Sequence, residues 1–427
     1  MNVYFSAVGG VGIGPLAMLA KDAGFKVSGS DLKESDMFNA LAARGIDVAI
    51  GQDGSHIANL HSELNPIEWF VYSSAVTEEN PELIFARENG IKVSKRDEFL
   101  NFLITEKNMK MVAVAGTHGK TTTSAMITWI LREMNQQISY SIGSKISFGP
   151  SAQYQTGSKY FIYECDEFDR NFLNFNPFLS LIVSVDYDHP DTYPTVKDYK
   201  DAFNQFTQQS ETTILWKDAA DYLQLKPSEK IKLLDQSSTS LEPIKLIGEQ
   251  MRRNAYLATV AVWQLMPEQN LEILISIVNQ FPGTSRRFEK LTENIYTDYA
   301  HHPVEIAATI NMAKEVNQNV VVIYQPHQNI RQHEIVKENA YKHCFEQAKK
   351  VYWLPTYLSR EDKNLAIISP TQLLNATSPE TNAEFSEMND TLWHKIKNHQ
   401  KNGDLVVAMS AGDLDEWLRE KVAEHKT

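Results

Sequence analysis

Cysteine is nearly absent: Cys165 and Cys344 are the only two in 427 residues. That excludes a disulfide framework and the paired-cysteine spacing of a structural zinc site. Basic residues are also in the minority. With 41 Lys and Arg against 54 Asp and Glu the net charge is −13, so the chain offers no dominant surface for nucleic-acid phosphates. No apolar run approaches the roughly 18 residues that cross a bilayer. The start, Met-Asn-Val-Tyr-Phe-Ser, has neither the basic flank nor the long apolar core of a secretory signal. Low-complexity tracts and short-period repeats are missing as well. The expectation is a soluble, cytoplasmic protein with no nucleic-acid partner and no membrane insertion. What is present is ordinary globular composition, 42% hydrophobic and 22% charged, in a chain long enough for about three domains.

Residues 1–108 alternate short apolar strands with helical stretches. Strands are expected over Val3–Val8, Lys26–Ser30 and Trp69–Ser73, with a helix running from the Gly9-Gly10-Val11-Gly12-Ile13-Gly14 turn towards Ala23. This βαβ pattern implies a parallel sheet. Gly9, Gly10 and Gly12 followed by Asp31 resemble a dinucleotide fingerprint, although Ala7 stands at the first glycine position. Backbone N–H groups of such a turn suit a pyrophosphate, and Asp31 suits a ribose hydroxyl or a base edge. A purely structural turn is the alternative.

A charged stretch, 106–110, leads into the strand Met111–Ala115 and then Gly116-Thr117-His118-Gly119-Lys120-Thr121-Thr122-Thr123. A strand, a glycine-rich turn and a helix start place backbone N–H groups and the positive end of a helix dipole against an anion. Lys120 can reach terminal phosphates and the Thr121 hydroxyl can ligate Mg²⁺. The string departs from the standard phosphate loop at Val114, where the first glycine would stand. Two further strand ends carry acids: Glu164-Cys165-Asp166-Glu167 after Tyr160–Tyr163, and Asp186-Tyr187-Asp188-His189 after Leu179–Val185. Glu164 is placed to be a second metal ligand and His189 to be either a ligand for another metal or a hydrogen-bonded loop residue. Parallel sheets bind ligands at such strand ends, so Thr121, Glu164 and His189 together point to an ATP–Mg²⁺ site.

The turn-rich segment Phe281-Pro282-Gly283-Thr284-Ser285 reads as a hinge. It separates a central domain, 109–283, from a smaller α/β domain, 284–427, with strands near Ile295–Tyr299, Val320–Tyr324, Lys350–Leu354 and Leu405–Met409. Three strings stand out there: Arg286-Arg287-Phe288-Glu289, Asp298-Tyr299-Ala300-His301-His302-Pro303, and Gln325-Pro326-His327-Gln328-Asn329-Ile330-Arg331. The planar fork of Arg331 suits a carboxylate. Each string taken singly also admits a structural role.

In this order the strings resemble the Mur ligase family over nearly the whole chain, and within it the branch that joins L-alanine to UDP-N-acetylmuramate. Gly29-Ser30-Asp31-Leu32-Lys33-Glu34-Ser35, Ser73-Ser74-Ala75, Asn80-Pro81-Glu82 and the closing Ser410-Ala411-Gly412-Asp413-Leu414 extend the likeness. The resemblance implies an α/β fold of three domains: a Rossmann-like domain, 1–108, for UDP-N-acetylmuramate; a central P-loop ATPase-type parallel-sheet domain, 109–283, for ATP; and a C-terminal α/β domain, 284–427, for the amino acid. It implies that Gly9, Gly10, Gly12, Asp31, Ser73, Ser74 and His118 serve the UDP-sugar. Gly116, Thr117, Gly119, Lys120, Thr121, Thr122 and Asn254 would serve ATP, with Arg287 and Asp298 completing that site. Mg²⁺ would sit on Thr121, Glu164 and His189. His327 and Arg331 would orient the alanine carboxylate, and His301 or Asp298 would accept the amine proton. ATP, Mg²⁺, UDP-N-acetylmuramate and L-alanine are thus the implied ligands, and a monomer or weak homodimer the implied assembly.

Several positions depart from the family pattern: Gln250 and Met251 before Asn254, Phe168 in the acidic motif, Ser184 ahead of the Asp-His pair, and Gln328 after Gln-Pro-His. They bear on the adenine pocket and on amino-acid recognition. Two rivals follow. One is the murein tripeptide-recycling ligase, which shares His118; the other is a non-catalytic sensor of the same fold.

Overall fold

In a computed structural model the described residues are 1–427 apart from 11, 74, 190–191, 360, 362–364 and 426–427. The strands form three sheets. The first contains β1 (Asn2–Ser6), β2 (Lys26–Asp31), β3 (Asp47–Ile50), β4 (Trp69–Tyr72) and β5 (Lys92–Lys95), all parallel in the order 3-2-1-4-5. The second contains β6 (Lys110–Ala115), β7 (Ile138–Ser141), β8 (Ala152–Gln153), β9 (Tyr160–Glu164), β10 (Leu179–Ile182), β11 (Thr212–Trp216) and β12 (Ile231–Leu234), in the order 12-11-10-6-9-7-8. The third contains β13 (Glu289–Thr292), β14 (Ile295–Asp298), β15 (Val320–Tyr324), β16 (Lys350–Trp353), β17 (Ala383–Phe385) and β18 (Leu405–Met409), in the order 13-14-18-15-16-17. Only the β7–β8 and β13–β14 pairs are antiparallel among the described strand pairs.

Central strands are continuous apolar runs because helices cover both of their faces. β10, β15 and β18 are buried throughout, and β6 is buried from Met111 to Ala115. Helix starts follow local chemistry: Ser35 accepts from Phe38 N–H, Asn80 caps a helix with Pro81 at its first position, and Thr195 with Asp198 forms a capping box.

Several strands stop one to three residues earlier than the apolar pattern suggests, while those ending at Ala115, Tyr324 and Met409 stop where it does and those ending at Asp31 and Glu164 run one residue further. β1 ends at Ser6 because Ala7 turns to φ +68°. β10 ends at Ile182, and the chain beyond it is irregular up to His189 at φ +58°. These early exits free the backbone for the loops that carry chemistry.

The chain divides into two compact units. One comprises Met1–Pro243 with Asn254–Pro282, and the other Ile244–Arg253 with Gly283–Thr427. Within the first unit the two leading sheets do not close separate cores. One hydrophobic cluster runs from Phe5, Leu16 and Phe99 through Phe161 and Tyr163 to Phe203, while Tyr4, Ile57, Phe70 and Leu83 fill the opposite face of the first sheet. The second unit has a cluster on each face of its sheet, around Tyr324, Tyr341 and Trp353 and around Ile323, Leu392 and Leu418.

Candidate active site

β6 delivers the chain into the phosphate loop. Gly116 (φ +133°) and Gly119 (φ +83°) take backbone conformations that L side chains rarely adopt. A Cβ on Gly116 would lie 2.7 Å from the Ser184 carbonyl oxygen and 2.9 Å from its nitrogen, so only glycine lets the loop close on the neighbouring strand end. Ser184 then fastens it. Thr117 N–H donates to the Ser184 carbonyl (3.0 Å), His118 N–H donates to Ser184 Oγ (2.9 Å), and that hydroxyl donates to the His118 carbonyl (3.2 Å). The helix Lys120–Glu133 starts at Gly119 with no side-chain cap. Its first N–H groups therefore face outward with the positive dipole end, the arrangement that receives phosphate. Thr122 lies buried in its first turn.

Lys120 folds back within this loop. Its Nζ donates to the Gly116 carbonyl (2.7 Å) and to Glu167 Oε2 (2.7 Å), with Asp166 at 3.8 Å. Burial works to lower the ammonium pKa, but the Glu167 and Asp166 charges outweigh it and hold it above its ordinary value. Glu167 is fully buried, and burial pushes its carboxyl up to about 7 against the pull of Lys120. Its other oxygen lies 3.7 Å from His189 Nε2. The acidic string therefore brings a second carboxylate to the loop besides Glu164. In the sequence Glu167 stands in the acidic string but carries no role of its own.

Thr121 Oγ1 donates to Glu164 Oε1 (2.8 Å), and Gly143 N–H donates to the other carboxylate oxygen (2.6 Å). A Cβ on Gly143 would fall within 2.9 Å of that carboxylate, so the backbone cradles it. Among the described residues no three His, Cys, Asp or Glu side chains converge as a protein-only metal cage. The Thr121–Glu164 pair is instead a hard-oxygen edge of the kind Mg²⁺ shares with phosphates and water, and this donor set fits the implied metal. His189, held by the Asp188 and Glu167 carboxylates at 3.6 and 3.7 Å, flanks the same strand ends. Asn254 is buried with its side chain beside Gly119: a Cβ there would lie 2.9 Å from Asn254 Nδ2.

In the first sheet the glycine turn leaves β1 and Gly12 opens the uncapped helix Ile13–Asp22. Gly9 N–H donates to Asp31 Oδ2 at 2.7 Å, so Asp31 is engaged in shaping the turn. Gly10 N–H returns to the Ala7 carbonyl (3.3 Å). The Arg96 guanidinium packs on Gly12, which puts a cation at the turn; no motif flagged it. Ser73 Oγ accepts from Ala75 N–H, and Ser74 lies outside the described residues. The His118 imidazole sits in the phosphate loop of the second sheet, with Nε2 3.8 Å from Asp186.

The third sheet gathers a separate group. Asp298, buried at the end of β14, accepts from Phe288 N–H (2.6 Å), Ala300 N–H (2.8 Å) and Thr309 Oγ1 (3.3 Å). Burial raises its pKa, with Arg287 opposing. Both oxygens are engaged by its own domain, which makes Asp298 a scaffold for the Arg-Arg-Phe-Glu turn. Arg286 and Arg287 both lie over the Tyr299 ring, and Glu289 receives the Arg419 guanidinium, so this string is built into the fold. His301 Nδ1 is 3.1 Å from the Tyr299 carbonyl, and its ring meets His327 edge-on at 5.8 Å. Arg331, on the helix Asn329–Lys337, pairs with Glu334 at 3.3 Å. The Glu361 carboxylate accepts from Asn329 N–H at that helix start.

The first unit thus brings together Lys120, Thr121, Glu164 and His189, and the second brings together His301 and His327. A glycine-rich phosphate loop with an oxygen-donor edge, in a chain of three parallel-type sheets, defines a nucleotide-using α/β protein. Residues 2–108 match the Mur ligase family catalytic domain, 114–281 the Mur ligase middle domain, and 286–412 the Mur ligase glutamate ligase domain. The chain belongs to the Mur ligase family. It is 32% identical to the UDP-N-acetylmuramate–L-alanine ligase of Caldicellulosiruptor bescii, with 98% of each chain covered. Its fold is similar to that of the UDP-N-acetylmuramate–alanine ligase of Thermotoga maritima, with TM-score 0.76, 22% identity and coverage of 100% and 99%. It is also similar to a murein peptide ligase of Psychrobacter arcticus, with TM-score 0.64, 20% identity and coverage of 99% and 98%.

Proposed function

We propose that this protein joins L-alanine to the carboxylate of UDP-N-acetylmuramate at the expense of ATP. The sugar carboxylate oxygen attacks the γ-phosphorus and ADP leaves, giving an acyl phosphate. The alanine amine then attacks the acyl carbon, and phosphate and a proton leave as the amide forms. The observation that carries this reading is the convergence of Lys120, Thr121, Glu164 and His189 on the strand ends around one uncapped helix start.

Phosphoryl transfer needs neutralised charge and fixed positions more than a covalent catalyst. Lys120 would exchange Glu167 and the loop carbonyl for phosphate oxygens, while Gly116, Thr117, Gly119 and Thr122 present backbone to the nucleotide and Asn254 meets the adenine. Thr121, Glu164 and His189 would hold Mg²⁺, which when bound neutralises phosphate and carboxylate charge. Residues 1–108 hold the UDP-sugar through the Gly9–Gly12 turn, Asp31 and the Ser73-Ser74 pair, with His118 contributing from the phosphate loop. Residues 109–283 hold ATP. Residues 284–427 bring the amino acid, with His327 and Arg331 on its carboxylate and His301 taking the amine proton. Arg287 completes the nucleotide site, which Asp298 supports by shaping the adjoining turn. We place the protein in the cytoplasm as a monomer or weak homodimer.

Phosphate release with UDP-N-acetylmuramate, ATP, Mg²⁺ and single amino acids tests the reading. Release with alanine supports it. Release only with the murein tripeptide would make the protein a recycling ligase, and binding of both nucleotides without release would make it a sensor.

A further inference from the structure

Tyr357 belongs to none of the strings that the sequence singles out, yet it is locked onto one of them. Its N–H donates to the Pro326 carbonyl (2.8 Å), its own carbonyl accepts from Gln328 N–H (2.9 Å), and His327 and Tyr357 pair as a parallel bridge. The phenol ring stacks on the His327 imidazole with centroids 5.8 Å apart and planes 9° from parallel. The side chain also presses on the closing string: a Cβ on Gly412 would lie 2.7 Å from Tyr357 Cγ and 2.5 Å from Gln325 Oε1. Gly412 is therefore small because Tyr357 occupies that space. The phenol hydroxyl makes no hydrogen bond among the described residues, so the ring face does the holding.

We propose that Tyr357 is a positioning residue for the amino-acid substrate, its ring, seated against Gly412, fixing the His327 imidazole by stacking on it. This rests on the reading of His327 as a carboxylate-orienting group. An imidazole free to rotate presents its nitrogen in many directions, and a stacked one in few; the ordering is made before the substrate arrives. The same packing shields the ring. Burial, then the neighbouring His301, pushes the His327 pKa down to about 4, with Arg286 and Arg331 acting in the same direction and Glu361 against.

Steady-state kinetics and a ¹³C-histidine NMR titration of the full chain test this. Loss of an aromatic stack should raise the alanine KM of Tyr357→Leu by about three- to tenfold. The KM values for ATP and UDP-N-acetylmuramate should stay put, and the His327 titration should move upward towards the ordinary histidine value. Tyr357→Phe should match wild type in all four readouts. Gly412→Ala pushes on the same side chain at its Cβ and Cγ and should reproduce the alanine KM increase even where Tyr357→Leu folds poorly. An unchanged alanine KM and an unchanged His327 titration in Tyr357→Leu overturn the proposal, as does a Tyr357→Phe enzyme as impaired as Tyr357→Leu. His327→Ala separates the layers. If it leaves the alanine KM unmoved, the amino-acid-site reading falls and the proposal with it; if it raises that KM while Tyr357→Leu is silent, the proposal alone falls.

Discussion

The phosphate loop closes against Ser184 only because Gly116 has no side chain, and Gly116→Ala measures how tightly. Two costs add. Holding an L residue at φ +133° costs about 1–2 kcal/mol relative to glycine. The new methyl would also sit 2.7 Å from the Ser184 oxygen, 2.9 Å from its nitrogen and 3.1 Å from the Val183 nitrogen. All three are backbone atoms of an adjoining strand end, so no rotamer can yield, and overpacking of this kind costs about 1–3 kcal/mol. The expected loss is therefore about 2–5 kcal/mol. Gly24 supplies the control: it has φ +91° with nothing within 4 Å of an added Cβ, so Gly24→Ala should show strain alone, about 1–2 kcal/mol. Urea unfolding gives the stability difference and calorimetry the ATP affinity. The displaced loop would also break the Thr117 and His118 bonds to Ser184, so Gly116→Ala should bind ATP at least tenfold more weakly, roughly 1.4 kcal/mol, while Gly24→Ala binds normally. Equal stability losses in the two variants, together with wild-type ATP affinity in Gly116→Ala, would show that the loop does not need the contact with Ser184.

Lys120→Ala should abolish phosphate release while leaving UDP-N-acetylmuramate binding largely intact by calorimetry. Asp298→Asn keeps one acceptor oxygen and puts an amide donor against either the Phe288 or the Ala300 N–H, which donate to different oxygens of the carboxylate; a stability loss of about 1–3 kcal/mol in urea unfolding is expected. Glu82 is buried and takes the hydroxyls of Tyr4, Ser6 and Ser30 at 2.6–2.7 Å, so Glu82→Ala should cost at least about 3 kcal/mol by the same assay, since it leaves three buried hydroxyls without their acceptor. His327, whose pKa is pushed down to about 4, stays neutral in the folded protein while the unfolded chain takes up a proton below the ordinary histidine value of about 6.5. Its contribution to stability therefore falls as pH drops from about 6.5 to about 4 and levels off below. Comparing the pH dependence of unfolding in wild type and His327→Gln isolates it.

The central strands were legible because burial on two faces leaves an unbroken apolar signature, as in Val320–Tyr324 and Leu405–Met409. The sheet edges were not. Lys92–Lys95, Glu289–Thr292 and Ala383–Phe385 are short and carry charges, as edge strands do, and they lack the pattern that a reader of periodicity needs. Strand ends were overrun for a related reason: Val183 and Val185 are buried but belong to the loop that receives the phosphate-loop bonds. The strings proposed for catalysis stand out because phosphate chemistry demands Gly, Lys, Thr and acids at fixed offsets. Arg96 and Tyr357 were not visible, since each reaches its partner only through tertiary register, Arg96 from a helix and Tyr357 thirty residues from His327 with no spacing rule to announce it. Ser184, a departure from the family pattern, proved to be the residue that ties down the loop.

A motif read as a string does not separate residues that build a loop from residues that meet a ligand, but their hydrogen bonds do. Asp31 holds the Gly9 N–H, Ser184 holds the backbone of His118 on both sides, and Asp298 holds two N–H groups of its own domain. Those polar atoms close onto backbone, and these contacts shape the loops. Lys120 on Glu167 and Thr121 on Glu164 are different. Each is a pair of side chains, and side chains can trade one another for phosphate oxygens or a cation without moving the loop. The loops also leave the first two sheets where strand order reverses: after β1, between β2 and β4, and after β6, between β10 and β9. At such points neighbouring connections diverge and leave a crevice. The exchangeable pairs in the first unit lie at the end of β6 and of its neighbour β9. On this criterion we propose His301 rather than Asp298 as the group that accepts the amine proton, since both Asp298 oxygens already accept from backbone N–H groups of their own unit.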